Sequence, residues 1–344
     1  MLQSERLQTF VALGDHLRSG EAQSELTEIA HQAHQKNNWF TVDNSLNALG
    51  AIANEFLTAD KLTSWLSPYR PEPETVRNIG VVMAGNIPAV GFHDLLCVLI
   101  SGHRLLAKLS NQDFVLIHYL IQKLKEINPA FTSFVEEAER LNAADAYIAT
   151  GSNNTSRYFE YYFGKKPNII RKNRTSVGLL MGEESEEEFA KLGHDISDYY
   201  GLGCRNVSTI LVPDDYNFTP LLRTLEPTAK MYLDNHKYQN NYDYNKSIYL
   251  INAVPHLDNG YLLLTENDGL VSPISVLYYQ TYQTQTDVLN WLSERSEQIQ
   301  VVASAQNWFS GHTTLPGVAF GQTQRPGLSD YADGVDTMAF LSNL

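Results

Sequence analysis

Residues 77–108 read RNIGVVMAGNIPAVGFHDLLCVLISGHRLLAK, and they decide the fold. The run NIGVVMAG is an apolar, β-type run that ends in a glycine. AVGFHDLLCVLISG has the spacing of an amphipathic helix and is closed by Gly102, a C-terminal stop. HRLLAKL is a second strand. Strand, helix and strand at such short spacing imply a right-handed crossover between parallel neighbours.

The pattern continues outward. QDFVLIHYLIQKLKEI (112–127) places apolar residues three and four apart, as a helix does. DAYIATGS (145–152) is a strand running into a glycine turn, and NNTSRYFEYYF (153–163) starts the next helix. Residues 77–172 thus read as a doubly wound, nucleotide-binding sheet covered on both faces. A second α/β unit follows. Its expected strands are TSVGLLM, VSTILVP, KSIYLINAV, GYLLLTE, PISVLYYQ and QIQVVAS, with helices over 185–199, 219–238 and 284–294. The acidic run EESEEEF (183–189) reads as the first turn of a helix, where the helix dipole favours negative charge. Upstream, 22–36, 46–57 and 60–66 have helical spacing, and the tail is glycine-rich and ends in a short expected strand. The fold expected is α/β in three parts. Residues 1–172 are a helical segment plus the nucleotide-binding domain, 173–320 a catalytic domain, and 321–344 a segment packing back on the body or on a partner subunit.

Composition narrows the function. Of 344 residues, 43% are hydrophobic and 19% charged, a globular balance. The net charge of −14 (25 basic, 39 acidic) argues against nucleic acid or an anionic membrane as partner. No stretch approaches the roughly 18 continuous apolar residues of a membrane span. The first residues, MLQSERLQTFVALGDHL, lack the basic start and apolar block of a signal peptide. Two cysteines form no disulfide framework or CxxC pair, so a cytoplasmic location is expected. His31 and His34, three apart, read as a polar helix face, and no metal is expected.

The residues with chemical capacity stand mostly at strand ends. Cys204 lies in YYGLGCRNVS (199–208), with glycines one and three positions before it and Arg205 after it. A thiol with pKa about 8.5 is mostly protonated at neutral pH, so a nucleophilic cysteine needs exposure and positive potential. Arg205 and the amides of a glycine turn supply both, although the same pattern also suits an inert loop cysteine. Cys97, inside DLLCVLI, reads as core. Gly151, directly after a strand, offers backbone amides to a phosphate. The GxGxxG fingerprint is absent, so an ordinary dinucleotide fold is not indicated. Lys108 ends a strand at the edge where doubly wound sheets bind ligands, and by itself reads more readily as a surface lysine. Asn86, in AGNIP, carries an amide able to donate to a developing oxyanion.

Taken in order, these segments resemble the aldehyde dehydrogenase superfamily. NIP is similar to its Asn-Phe-Pro, SGHRLLAKLSNQ to its Gly-Asn…Lys-x-x-Glu-Gln, and DAYIATGSNNTSR to its Phe-Thr-Gly-Ser. GLGCRNVSTILV is similar to its Gly-Gln-x-Cys stretch, and FGQTQRPG…Y…VDT to its C-terminal stretch. Within the superfamily the chain looks most like the LuxC-type acyl-CoA reductases, which make fatty aldehydes from acyl thioesters with NADPH. The resemblance implies that Cys204 is the nucleophile and that Asn86 and the Cys204 amide form the oxyanion hole. It puts Lys108 at the adenosine ribose, Thr150, Gly151 and Ser152 at the pyrophosphate, and Glu266, in TENDGLVSP, at the nicotinamide ribose. The implied reaction has two steps: the thiolate displaces CoA (or acyl carrier protein), then hydride from NADPH gives a thiohemiacetal that collapses to aldehyde. Where NAD-preferring relatives carry a glutamate three residues after the lysine, this chain has Asn111, which implies NADPH. Where hydrolytic relatives carry a water-activating glutamate, PNIIRKNRTSVGLL (167–180) has no acid, and the counterpart position is Ile170. The superfamily also implies a homo-oligomer. The rival expectations are an NAD(P)-dependent aldehyde oxidiser, a glutamyl-phosphate-type acyl reductase, and a nucleotide-binding protein that has lost the chemistry.

Overall fold

The structure, a computed structural model, describes residues 1–305 and 313–344. Its chain divides into two compact units, one of Met1–Asn173 with Pro326–Leu344, the other of Arg174–Arg325.

The first unit opens with four helices: α1 (Gln3–Arg18), α2 (Gln23–Lys36), α3 (Val42–Ala51), which continues as a π-type turn over Ile52–Phe56, and α4 (Ala59–Leu66). The sheet follows: β1 (Asn78–Val82), α5 (Phe92–Ile100), β2 (Arg104–Lys108), α6 (Phe114–Ile127), β3 (Val135–Glu137), β4 (Ala146–Thr150), α7 (Asn153–Phe163) and β5 (Asn168–Arg171). All five strands are parallel, in the order β3-β2-β1-β4-β5. The chain winds outward from β1 to β3 and then returns to the other side of β1 for β4. The switch point is therefore between β1 and β4, and ligands of open α/β sheets bind outside the carboxyl ends of strands at such a point.

Burial explains why these elements hold. The central strand positions Ile79 and Val81 are fully buried, as is every residue of α5 from Leu95 to Ile100. A helix apolar all round is a core helix, and here the N-terminal helices make it so. Phe10, Leu13, Leu49, Leu57 and Leu62 join α5, α6 and the sheet in one apolar cluster. Arg6, 1% exposed, ties α1 to the end of α5 by donating to Ile100 O (2.9 Å), to Pro71 O (2.7 Å) and to Glu72 (3.0 Å). The C-terminal residues close the same cluster through Leu328, Tyr331, Met338 and Leu341. His103 is buried and joins both sides: its Nδ1 accepts from Arg77 N–H (3.1 Å) and its Nε2 donates to Leu341 O (3.0 Å).

The second unit holds β6 (Thr175–Leu179), α8 (Glu186–Ser197), β7 (Val207–Pro213), α9 (Thr219–Leu225), α10 (Ala229–Leu233) and α11 (His236–Ile251). It continues with β8 (Leu257–Asp258), β9 (Leu263–Glu266), β10 (Val276–Tyr282), α12 (Gln285–Glu294), β11 (Ile299–Ser304) and β12 (Gly317–Ala319). The sheet order is β12-β11-β6-β7-β10-β9-β8, parallel except for the β8–β9 pair. The acidic run is the first turn of α8 as expected: Ser185 accepts from Glu188 N–H, and the Glu188 carboxylate returns to the Ser185 backbone.

Two expected strands are helices. KSIYLINAV (246–254) forms the end of α11 and the residues that follow it. Asn235 caps this helix by accepting from Lys237 and Tyr238 N–H (3.0 and 3.3 Å), and Tyr238, Tyr242 and Asn245 recur at helical spacing on its buried side. The β-branched Ile251 that suggested a strand is 82% exposed. The tail likewise ends in a helix, α13 (Thr337–Ser342), because Asp336 accepts from Ala339 N–H (2.8 Å) and turns Met338 and Leu341 inward. Among the described residues, no helix is long and apolar enough to cross a membrane, and no group of three or more His, Cys, Asp or Glu could hold a metal ion. His34 instead pairs with Phe40 O (3.1 Å).

Candidate active site

Three turns leave one edge of the first unit's sheet. Register fixes this: Val82 of β1 lies level with Lys108 of β2 and with Ala149 of β4. Asn86, on the turn after β1, is exposed, and so are Lys108, the last residue of β2, and Asn111 beyond it. Thr150 and Gly151 are half-buried at the end of β4, and Ser152 caps α7 by accepting from Thr155 N–H (3.2 Å). Gly151 is needed for close approach: a Cβ there would stand 2.9 Å from Phe159 Cε2 and 3.1 Å from Thr155 Cβ. A cation, an amide and a hydroxyl-lined helix start thus converge on the sheet edge beside the switch point. Those donors suit the phosphates and ribose of a nicotinamide dinucleotide.

Beside Thr150 the sequence reading missed a buried ion pair. Arg171, at the end of β5, donates to Asp94 of α5 at 2.5 Å and to Thr337 of α13 at 3.0 Å, with Thr150 Oγ1 at 3.5 Å. Both charged residues are buried. The available signal was a charge closing the apolar strand NIIR. Ile170 is half-buried and paired with Ala149, so the stretch expected to lack an acid presents none there.

In the second unit, Cys204 is half-buried and stands three residues before the start of β7, at the amino end of the parallel strands. Its turn is built from left-handed residues: Tyr199 (φ 51°), Tyr200 (φ 61°), Gly201 (φ 74°) and Gly203 (φ 101°). Glycine adopts such angles freely, but a tyrosine does so only when its surroundings enforce it. They do here. Tyr200 is 5% exposed and packs edge-on to Tyr232 (5.9 Å between ring centres) and against Tyr238 (5.9 Å), while Tyr232 stacks on Tyr261 at 5.2 Å. Burial pushes the Tyr238 and Tyr261 hydroxyls above the usual range, so the cage stays neutral. Ser176 Oγ donates to Cys204 O (3.1 Å), pinning the Cys204 backbone to β6.

Arg205 donates to Thr323 O (3.4 Å). Thr323 in turn gives its N–H (3.0 Å) and hydroxyl (2.7 Å) to Asp195 of α8, which also accepts from Gly321 N–H (2.6 Å). Desolvation raises the Asp195 carboxyl to about 6 against these hydrogen bonds. Sequence reading missed Asp195, since its partners lie some 126 residues downstream. Cys97, by contrast, is fully buried, and burial, then the nearby Asp94, pushes its thiol well up, leaving it inert.

Glu266 is not brought together with Cys204. It is exposed at the end of β9, level with Tyr279 and so with Ile210 in the middle of β7, whereas Cys204 comes before that strand. It is the turn at Gly269 and Leu270 that returns to the start of β7, where Ser208 and Thr209 donate to Leu270 O (2.7 and 2.9 Å).

No family model matches the chain and no curated protein is similar to it. Solved structures are. Aldehyde dehydrogenase 21 of Physcomitrella patens, in complex with the reaction product succinate, is 9% identical, with a TM-score of 0.70 over 100% of this chain and 84% of that one. Betaine aldehyde dehydrogenase of Staphylococcus aureus with NAD+ is 11% identical, with a TM-score of 0.66 over 93% and 75%. An aldehyde dehydrogenase of Mycobacterium tuberculosis complexed with NAD+ is 13% identical, with a TM-score of 0.63 over 93% and 77%. The chain therefore has the aldehyde dehydrogenase fold, with one unit carrying the dinucleotide-type sheet and the other a cysteine on a constrained turn.

Proposed function

We propose that the protein is an NADPH-dependent reductase of acyl thioesters, releasing an aldehyde by way of a Cys204 acyl-enzyme. Cys204 attacks the thioester carbonyl, a carbon–sulfur bond forms to the enzyme, and the CoA or acyl-carrier thiolate leaves. Asn86 and the Cys204 amide donate to the oxyanion, one such donor being worth on the order of 3 kcal/mol. Lys108 and Asn111 hold the adenosine ribose and its 2′-phosphate, and Thr150, Gly151 and Ser152 the pyrophosphate. Bound NADPH supplies the hydride that reduces the acyl carbon. Glu266 is the weakest member of this set, because of its position on β9.

The observation that carries the reading is the acid-free stretch 167–180, where hydrolytic members of the fold keep a general base. Such a base is worth about 10²–10⁴-fold in rate. Glu184 does not stand in for it, since its carboxylate is occupied by Gly182 N–H (3.1 Å), Met181 N–H and Tyr216 Oη (3.4 Å). The names of the fold's solved members favour a second reading, oxidation of an aldehyde. Product analysis by gas chromatography separates the two. Acyl-CoA with NADPH yields aldehyde under the first reading, and little free acid appears without NADPH. Rapid acid release from acyl-CoA without cofactor supports the second.

A further inference from the structure

Asp113 stands where the Lys108–Asn111 loop enters α6, and only 2% of it is exposed. Its side chain does not cap the helix, and neither carboxylate oxygen has a hydrogen-bond partner of ordinary geometry. A carboxyl group so placed is costly, and natural proteins rarely keep one without a use. The loop after β1 lies directly against it. A Cβ on Gly85 would come within 2.4 Å of Ser110 Oγ and 3.1 Å of Asp113 Cβ. Burial pushes the carboxyl well above the usual carboxylate range, and the opposing influence is the backbone of Ala89. Ala89 is also the strained residue of that loop, at φ 55°.

We infer that Asp113 is a positioning residue for Asn86: its buried side chain backs Gly85 and so holds the loop 84–91 that presents the Asn86 side chain. Only its catalytic consequence rests on the function proposed above. The loop's dependence on Asp113 does not. Asparagine keeps the planar, polar shape that packs against the loop, whereas leucine fills a similar volume with a branched, apolar one.

Hydrogen exchange read by mass spectrometry on the full chain tests the inference. In Asp113→Leu, exchange over 84–91 should rise about tenfold while 116–124 of α6 stays protected, and Asp113→Asn should remain near the native rate. Under single-turnover conditions, Asp113→Leu should release CoA about tenfold more slowly at saturating acyl-CoA, with KM little changed and with Asp113→Asn restoring the rate. Should Asp113→Leu not fold, Asp113→Ala is read in the same way. Native exchange over 84–91 in a folded Asp113→Leu or Asp113→Ala protein overturns the inference whatever the substrate proves to be. A native enzyme that releases no CoA overturns the proposed function instead, and the exchange result alone then decides the role of Asp113.

Discussion

Asn111 is exposed three residues beyond Lys108, at the edge where the three strand-end turns leave the sheet. An asparagine there carries no charge to oppose a 2′-phosphate, and a lysine can pair with it. NADPH should therefore serve at least as well as NADH, and Asn111→Glu should move the ratio of kcat/KM values toward NADH by placing a carboxylate against the phosphate. Steady-state rates with both cofactors check this, and a native preference for NADH contradicts it. At this scale the sequence was informative about groups whose neighbours in sequence announce them. Cys204 after its two glycines, Asn86 before Pro88 and Lys108 at a strand end could all be picked out. Asp113, Asp195 and Arg171 could not, because what distinguishes them is burial and partners remote in the chain.

The turn before β7 shows how an element holds Cys204, the proposed nucleophile, in place. Two tyrosines in left-handed geometry cost on the order of 1–3 kcal/mol each, and the cage of Tyr200, Tyr232, Tyr238 and Tyr261 offsets that by packing. Tyr238 is 2% exposed within it. Tyr238→Ala should lose about 3–5 kcal/mol in denaturant unfolding, as large aromatic truncations do, and should slow Cys204 acylation while nucleotide affinity is retained. The same stability loss with an unchanged acylation rate would show that the cage supports the fold but not the turn. Most elements were legible because apolar periodicity coincided with burial, as in α5, α6 and β7. α11 was not: its inward face is tyrosine and asparagine, while its Leu250 and Ile251 face solvent. A hydrophobicity pattern read from sequence then points the wrong way. α13 failed for a related reason, since a six-residue helix starting at an aspartate cap has too few turns to show a period.

On the scale of the whole molecule, the two units divide the proposed chemistry, with cofactor-type turns on one sheet and the cysteine on the other. The acidic surface implied by a charge of −14 repels polyanions in general, so affinity for CoA or NADPH has to come from specific donors such as Lys108. The acid-free stretch 167–180 runs through β5 into β6, and under the proposed function its lack of a base predicts a long-lived acyl-enzyme. The most direct test is intact-protein and peptide mass spectrometry after incubation with an acyl-CoA in the absence of NADPH. The account predicts a persistent acyl adduct on Cys204, none on Cys97, stoichiometric CoA release, and loss of the adduct in Cys204→Ala. Adduct on Cys97, or full turnover by Cys204→Ala, would contradict it.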